Sequence, residues 1–138
     1  MNPVVSSLRP EPPSKFTLLL VEDDFFTRWT AAQYLRAAEF TVVEAISVDE
    51  ALTVFLSGKL IDVVFSDLNL PGDRGGDFLS AWLEKHRPHI PVLLTSGRTD
   101  GAALIGLNRL RRFVLKPYDL GEVAQLLRRM LDRGMTMP

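Results

Sequence analysis

The side chains in this sequence that could do chemistry together are three carboxylates, a hydroxyl and an ammonium group, each placed where an apolar segment ends. Glu22 and Asp23 directly follow one such segment, Asp67 follows another, and Ser96 and Lys116 follow two later segments. Carboxylates brought close together repel, and one takes up a proton unless a cation lies among them. Mg²⁺ suits such a set, because it is a hard ion that binds carboxylate and carbonyl oxygens and keeps several waters. These groups together are typical of phosphoryl transfer.

The segments that carry these residues are predicted to be short strands that alternate with helices. The predicted strands are nearly continuously apolar, which is typical of strands buried on both faces of a parallel sheet. They are Phe16–Val21, Phe40–Ala45, Ile61–Ser66, Ile90–Thr95 and Arg112–Leu115. Apolar residues at helical spacing predict helices over Thr27–Ala38, Val48–Phe55, Leu79–His86 and Leu120–Leu131. Ser47 and Asp119 are the predicted N-caps of the second and the last of these helices.

Five β–α units of this size predict an α/β fold, an open parallel sheet with helices on both faces, because crossover connections are right-handed. Ligands of such sheets bind at the carboxyl ends of the strands. Neighbouring central strands end side by side, so we expect Glu22, Asp23 and Asp67 to converge. The segment Thr99–Leu110 is the weakest part of the pattern, since Gly101 and Gly106 predict a short or frayed helix there.

Composition excludes several classes of protein. The 138 residues suit a single domain, and a formal net charge of -1 provides no basic field for nucleic acid or membrane. Without cysteine, there is no disulfide, no thiolate nucleophile and no cysteine-bound metal, and two histidines leave little for a histidine-rich site. Any bound metal is therefore expected to have oxygen ligands.

The sequence predicts one folded domain over residues 15–134, a flexible proline-rich arm over residues 1–14 and a short tail over residues 135–138. The arm does not read as a secretory signal, and the longest apolar runs fall far short of the roughly 20 residues of a membrane span. We therefore expect a cytoplasmic protein with no membrane partner. Two basic clusters are predicted to be solvated faces, and they comprise Arg109, Arg111, Arg112, Arg128, Arg129 and Arg133.

At the strand ends the sequence resembles the receiver domain of two-component response regulators, over essentially residues 17–133. The resemblance rests on the acidic pair Glu22-Asp23, on "DVVFSDLNLPG" around Asp67, on Ser96 and on Lys116-Pro117, in that order. It implies a doubly wound, flavodoxin-like (βα)5 fold with five parallel strands in the order 2-1-3-4-5. It also implies a cis bond between Lys116 and Pro117.

The resemblance implies a role for each site residue. Asp67 would accept the phosphoryl group, and Lys116 and Ser96 would each hold one of its oxygens. Asp23, Asp67 and the backbone carbonyl of Asn69 would bind Mg²⁺ directly, with Glu22 acting through water. The only catalysis implied is self-phosphorylation from small donors and self-dephosphorylation, so the protein is not expected to be an enzyme.

The sequence departs from the common receiver pattern in three places. Ser96-Gly97 replaces the frequent Thr-Ala, and the stretch from Ser96 to Lys116 is short. Both features are similar to a subgroup with Thr-Gly after strand four and a reduced fourth helix, whose members commonly stand alone. Arg111-Arg112 replaces the usual small residues before the switch aromatic, which is Phe113 here.

The expected partners are a sensor histidine kinase or a histidine phosphotransfer protein, and a downstream protein. The candidate docking residues beside the site are Phe26, Thr30, Arg98 and Tyr118. Ser96 and Phe113 would relay the signal toward Thr99–Leu110. No helix-turn-helix segment follows, so direct DNA binding is not expected. A monomer or weak homodimer is expected.

Other functions remain open beside a stand-alone phosphorylation switch or phosphate sink. One is a receiver-like interaction module that works without phosphorylation, although such a module should have lost its site residues. Another is an aspartate-nucleophile phosphatase. That family has Asp-x-Asp after its first strand, whereas here Asp67 follows the third predicted strand and the residue two positions later is Asn69. A flavodoxin-like nucleotide or flavin binder is disfavoured, because Glu22, Asp23 and Asp24 would repel phosphate where its cradle should lie.

Overall fold

The computed structural model describes residues 15–98 and 107–135, and its centre is a five-stranded parallel sheet. The strand order is β2-β1-β3-β4-β5, which confirms the predicted fold class. The strands are β1 (Thr17–Val21), β2 (Thr41–Ala45), β3 (Val63–Asp67), β4 (Val92–Ser96) and β5 (Arg111–Leu115). The first four begin one or two residues later than predicted, and β5 begins one residue earlier.

Four helices cover the sheet within the described ranges. They are α1 (Phe25–Ala37), α2 (Val48–Leu56), α3 (Gly76–His86) and α4 (Leu120–Met135). The predicted caps are confirmed, since Glu50 N–H donates to Ser47 Oγ at 3.1 Å and Glu122 N–H donates to Asp119 Oδ1 at 3.0 Å. An aspartate cap that the sequence reading passed over starts α1, where Asp24 Oδ2 accepts the N–H of Thr27 at 2.8 Å.

The apolar core lies in two layers, one on each face of the sheet. Leu18, Leu20 and Phe65 point to the face covered by α1 and α4. Leu19 and Val64 point to the opposite face, beneath α2 and α3. Strands buried on both faces are rigid elements, so the residues that follow them are held in fixed places.

The register of the sheet brings the functional strand ends to one edge. Val21 is paired with Ser66, Asp67 with Thr95, and Ser96 with Leu115. The acidic segment after β1 therefore lies beside the end of β3, as expected from the sequence.

The prediction that the cluster around Arg111 is solvated is wrong for Arg111 itself, which is buried. This residue opens β5 in register with the fully buried Val92. Its Nη1 donates to the backbone carbonyls of Ile90 and Leu110, each at 3.1 Å. Successive side chains of a strand point to opposite faces of the sheet, and this alternation turns Arg111 inward whatever the charge of the surrounding sequence.

Parts of the sequence-based interpretation fall outside the described residues. They are the arm over residues 1–14, residues 99–106 of the segment predicted to be a frayed helix, and residues 136–138 of the tail. Met135, the first residue of the predicted tail, is the last residue of α4. Among the helices that the structure describes, none combines the length and the apolar character needed to cross a membrane.

Candidate functional site

Three carboxylates meet at the carboxyl edge of the sheet. Glu22 follows β1 and is 3% exposed, and Asp67 ends β3 and is 5% exposed. Asp23, the next residue after Glu22, faces solvent. One carboxylate oxygen from each of the three lies within 4.8 Å of the others. The structure thus brings together the acidic residues that the sequence placed at one site.

Lys116 supplies a positive charge to this cluster. It directly follows β5, and its Nζ donates to Asp67 Oδ2 at 2.7 Å and to Glu22 Oε1 at 2.8 Å. The Lys116–Pro117 bond is cis, as predicted. One ammonium group therefore bridges the ends of β1 and β3 from the far side of the sheet.

The electrostatics of the pocket follow from burial and from this bridge. Burial raises the pKa of Glu22, and the hydrogen bond from Lys116 only partly offsets it. For Lys116 burial acts to lower the pKa, but the hydrogen bonds and charges of Asp67 and Glu22 outweigh it, and the pKa is raised. Lys116 accordingly stays positively charged. Because it is one cation beside three carboxylates, the site can still accommodate a second cation.

The loop after β3 connects Asp67 to Ser96. Asn69 N–H donates to Asp67 Oδ1 at 2.9 Å, and the Asn69 side chain donates through Nδ2 to Ser96 Oγ at 3.1 Å. The backbone N–H of Arg98 also donates to Ser96 Oγ, at 3.1 Å. The Ser96 hydroxyl thus accepts two hydrogen bonds and retains its own proton for donation. The sequence reading assigned Asn69 only a backbone role and missed its side-chain contact.

Gly76 lets α3 begin directly against the backbone of Asp67. A Cβ at Gly76 would collide with the Asp67 carbonyl oxygen and would stand 2.9 Å from the Cα of Leu68. The backbone N–H of Gly76 donates to the Leu68 carbonyl at 3.0 Å, which ties the helix start to the loop. The sequence reading missed this residue. The signal it offered was the Gly75-Gly76 pair at a helix start.

The donor set fits a hard divalent cation. Glu22, Asp23 and Asp67 offer only oxygen ligands, and two of these side chains are buried where their mutual repulsion is least screened. Mg²⁺ prefers one or two carboxylates with waters and a carbonyl oxygen. The Asn69 carbonyl and the water-mediated contact of Glu22 remain predictions about how the ion would be held.

An apolar groove of about 430 Å³ opens beside Lys116. Three of the four predicted docking residues line it, namely Phe26, Thr30 and Tyr118. Phe26 is 76% exposed, whereas the ring of Tyr118 packs against Phe65 with a centroid separation of 5.3 Å. Arg98 is exposed, and it is not among the described residues that line the groove.

The predicted switch aromatic Phe113 is partly buried against the core layer beneath α2 and α3. It stands in register with Leu94 of β4, two residues before Ser96. This placement suits a side chain that senses movement of β4. The switch role itself stays a prediction.

Comparison with known proteins gives a consistent result. The family described as the response regulator receiver domain matches residues 18–128. The sensor kinase CckA of Brucella abortus (strain 2308) is 33% identical over 121 residues, which are 85% of this chain but 13% of that protein. The chain therefore spans a small part of this relative.

Solved structures agree with the fold and the family. The receiver domain from a hybrid histidine kinase CckA has a TM-score of 0.70 at 30% identity, covering 83% of this chain and 98% of that chain. A response regulator receiver protein from Sinorhizobium medicae WSM419 has a TM-score of 0.81 at 21% identity, covering 89% and 99%. At the lower identity the likeness shows the fold alone.

Proposed function

Because this chain belongs to the response regulator receiver domain family, we propose that it is a cytoplasmic protein that accepts a phosphoryl group on Asp67 from a sensor histidine kinase or histidine phosphotransfer protein. The observation that carries this proposal is the position of the Asp67 carboxylate, buried beside Glu22 and Asp23 and bonded to Lys116 at 2.7 Å. A buried aspartate carboxylate in contact with an ammonium group is suited to a nucleophilic role.

In the proposed step, an Asp67 carboxylate oxygen attacks the phosphorus of a phosphohistidine. A new P–O bond forms as the P–N bond breaks, and the imidazole leaves with the electron pair of that bond and takes up a proton from water. The product is an acyl phosphate on Asp67. Lys116 remains charged and offers its ammonium to a phosphoryl oxygen, while Ser96 Oγ offers the proton that its two accepted hydrogen bonds leave available.

Mg²⁺ held by Asp23 and Asp67, with Glu22 acting through water, would neutralise charge on the carboxylate and on the phosphoryl oxygens. The geometry supports this assignment, because one oxygen of each carboxylate lies within 4.8 Å of the others and the side chains of Glu22 and Asp67 are buried. We therefore propose Mg²⁺ as the cofactor of the reaction.

The apolar groove beside Lys116 is the proposed docking surface for the phosphodonor protein. It borders the site, and the largest exposed side chain in its wall is Phe26. A phosphohistidine must approach Asp67 in line, so the donor has to rest against elements next to the pocket. Thr30 and Tyr118 complete the candidate contact, with Arg98 proposed as a contact outside the groove.

We propose that the phosphorylated protein acts through protein–protein contacts, either as a stand-alone switch with a downstream protein partner or as a phosphate sink. The intact acidic cluster and Lys116 favour phosphorylation over a phosphorylation-independent module. An aspartate-nucleophile phosphatase is less well supported, because the side chain two residues after Asp67 is the amide of Asn69, bonded to Ser96. We also propose that it has no enzymatic activity beyond the phosphorylation and dephosphorylation of Asp67.

The proposal is tested by a phosphotransfer screen. Purified histidine kinases and phosphotransfer proteins, labelled on histidine, are mixed with the wild type and with Asp67→Asn. At least one donor protein should transfer its labelled phosphoryl group to the wild type at early time points and transfer none to Asp67→Asn. Transfer to Asp67→Asn at the wild-type rate would refute Asp67 as the acceptor.

A further inference from the structure

Arg28 of α1 contacts the acidic segment without belonging to it. Its Nη1 donates to the backbone carbonyl of Glu22 at 3.0 Å, and its Nε donates to Glu44 Oε1 on β2 at 3.1 Å. The Arg28 side chain is 14% exposed. One guanidinium group therefore joins the first helix, the edge strand and the segment that carries two of the three clustered carboxylates.

The carbonyl that Arg28 holds belongs to the peptide group between Glu22 and Asp23. A peptide group is planar, so fixing its oxygen also fixes the N–H of the following residue and limits the direction in which that side chain leaves the backbone. The preceding peptide is held as well, because Glu22 N–H donates to the Ala45 carbonyl at 3.0 Å. Glu22 is thus tied to β2 on one side and to α1 on the other.

Asp23 depends on this backbone more than its neighbours do. The Glu22 carboxylate is oriented by Lys116 and by the N–H of Asp24, and Asp67 by Lys116 and the N–H of Asn69. Within the part of the chain that the structure describes, the exposed carboxylate of Asp23 has no such hydrogen bond. The main chain that Arg28 holds limits the direction in which this side chain leaves the backbone.

We propose that Arg28 is a positioning residue that sets the affinity of the acidic cluster for Mg²⁺ by fixing the Glu22–Asp23 peptide plane, with Glu44 as its anchor. The inference rests on the proposed function, since it presumes that the cluster binds Mg²⁺. Geometry carries the inference rather than charge, because the positive charge of Arg28, which shares Glu44 with Arg36, would by itself disfavour a nearby cation.

Arg36 provides a matched control. It lies on the same helix and donates through Nη2 to the other oxygen of Glu44 at 3.1 Å, but its second contact is the carbonyl of Val42 rather than that of Glu22. Loss of Arg36 therefore removes an ion pair with Glu44 and leaves the acidic segment tied.

The test is isothermal titration calorimetry of the full chain with Mg²⁺ alone, without a phosphodonor. Arg28→Gln should weaken Mg²⁺ binding about tenfold, at the lower end of the loss caused by removing an outer hydrogen bond of a metal site. Arg36→Gln should stay within about twofold of the wild type, as expected for an exposed ion pair. Arg28→Lys keeps the charge but cannot bond both partners, so it too should bind Mg²⁺ more weakly.

Equal affinities for Arg28→Gln and Arg36→Gln, or wild-type affinity for Arg28→Lys, would overturn the inference and leave the proposed function intact. Equal affinities for the wild type and Asp23→Ala would overturn the proposed metal site and the inference together. If circular dichroism shows that Arg28→Gln does not fold, Glu44→Ala takes its place. That variant removes the anchor of Arg28 together with the Arg36 ion pair, and Arg36→Gln measures the effect of losing that ion pair alone. Glu44→Ala should therefore weaken Mg²⁺ binding more than Arg36→Gln does, and wild-type affinity would refute the role of Arg28.

Discussion

Lys116 Nζ lies 2.7 Å from Asp67 Oδ2, although the two residues are 49 positions apart in the sequence. The same ammonium lies 2.8 Å from Glu22 Oε1. The contact is possible because the parallel strands β1, β3 and β5 all have their carboxyl ends on the same side of the sheet, with β3 between β1 and β4. The bridge stabilises two buried carboxylates, and it also places a cation where a transferred phosphoryl group would need one.

Replacing Lys116 with methionine should destabilise the protein in the absence of Mg²⁺ by roughly 3 kcal/mol, because Glu22 and Asp67 would lose their counter-charge while buried. The variant should then gain more stability from added Mg²⁺ than the wild type does. Urea denaturation with and without Mg²⁺ measures both effects. Lys59→Met, which changes an exposed lysine, is the control. An equal gain from Mg²⁺ in Lys116→Met and the wild type would contradict this reading.

Gly76→Ala should lower the free energy of unfolding by about 2 kcal/mol, because the new methyl group collides with the Asp67 carbonyl oxygen. Gly97→Ala is the matched control, since a Cβ there meets no atom of the described residues within 4 Å. Its effect should stay within about 0.5 kcal/mol. The denaturation midpoints of the two variants decide the question, and equal midpoints would show that α3 can shift away from Asp67 at little cost.

Tyr118 should titrate at unusually high pH. Burial raises its pKa from the ordinary 10.0 to about 12. The folded protein binds the Tyr118 proton more tightly than the unfolded chain does. This contribution to the free energy of unfolding is fully present below the unfolded-state pKa, and it is lost as the pH rises through the folded-state pKa. Since the chain has two tyrosines, Tyr34→Phe leaves Tyr118 as the sole reporter for ultraviolet absorption of tyrosinate. A midpoint near 10.0 in the folded protein would show that the ring is hydrated.

Phe26→Ala should slow phosphotransfer from the donor protein about tenfold, the cost of losing one central contact of about 1.4 kcal/mol. Labelling by acetyl phosphate should be unchanged, because that small donor does not use the groove. Leu56→Ala, at a site 74% exposed compared with 76% for Phe26, is the control. If both donors react slowly with Phe26→Ala, the side chain supports the fold and does not serve as a docking contact.

The sequence predicted the sheet and the acidic cluster well because both follow from strong local patterns. Buried strands read as apolar runs, and the polar residues that end them share one edge in any parallel sheet. The contacts of Arg28 could not be read in the same way, since they join a helix, a strand and a loop through a carbonyl that every residue possesses. Arg111 was misjudged because its charge says nothing about which face of β5 it occupies.

The central claim is that Asp67 is the residue phosphorylated, with Mg²⁺ held by Asp23 and its neighbours. The most direct test is intact-mass spectrometry after exposure to acetyl phosphate, with and without Mg²⁺, followed by peptide mapping. The wild type should gain the mass of one phosphoryl group on the peptide that contains Asp67, only when Mg²⁺ is present, and Asp67→Asn should gain none. Equal labelling of both proteins, or labelling of the wild type that persists after chelation of Mg²⁺, would contradict the account.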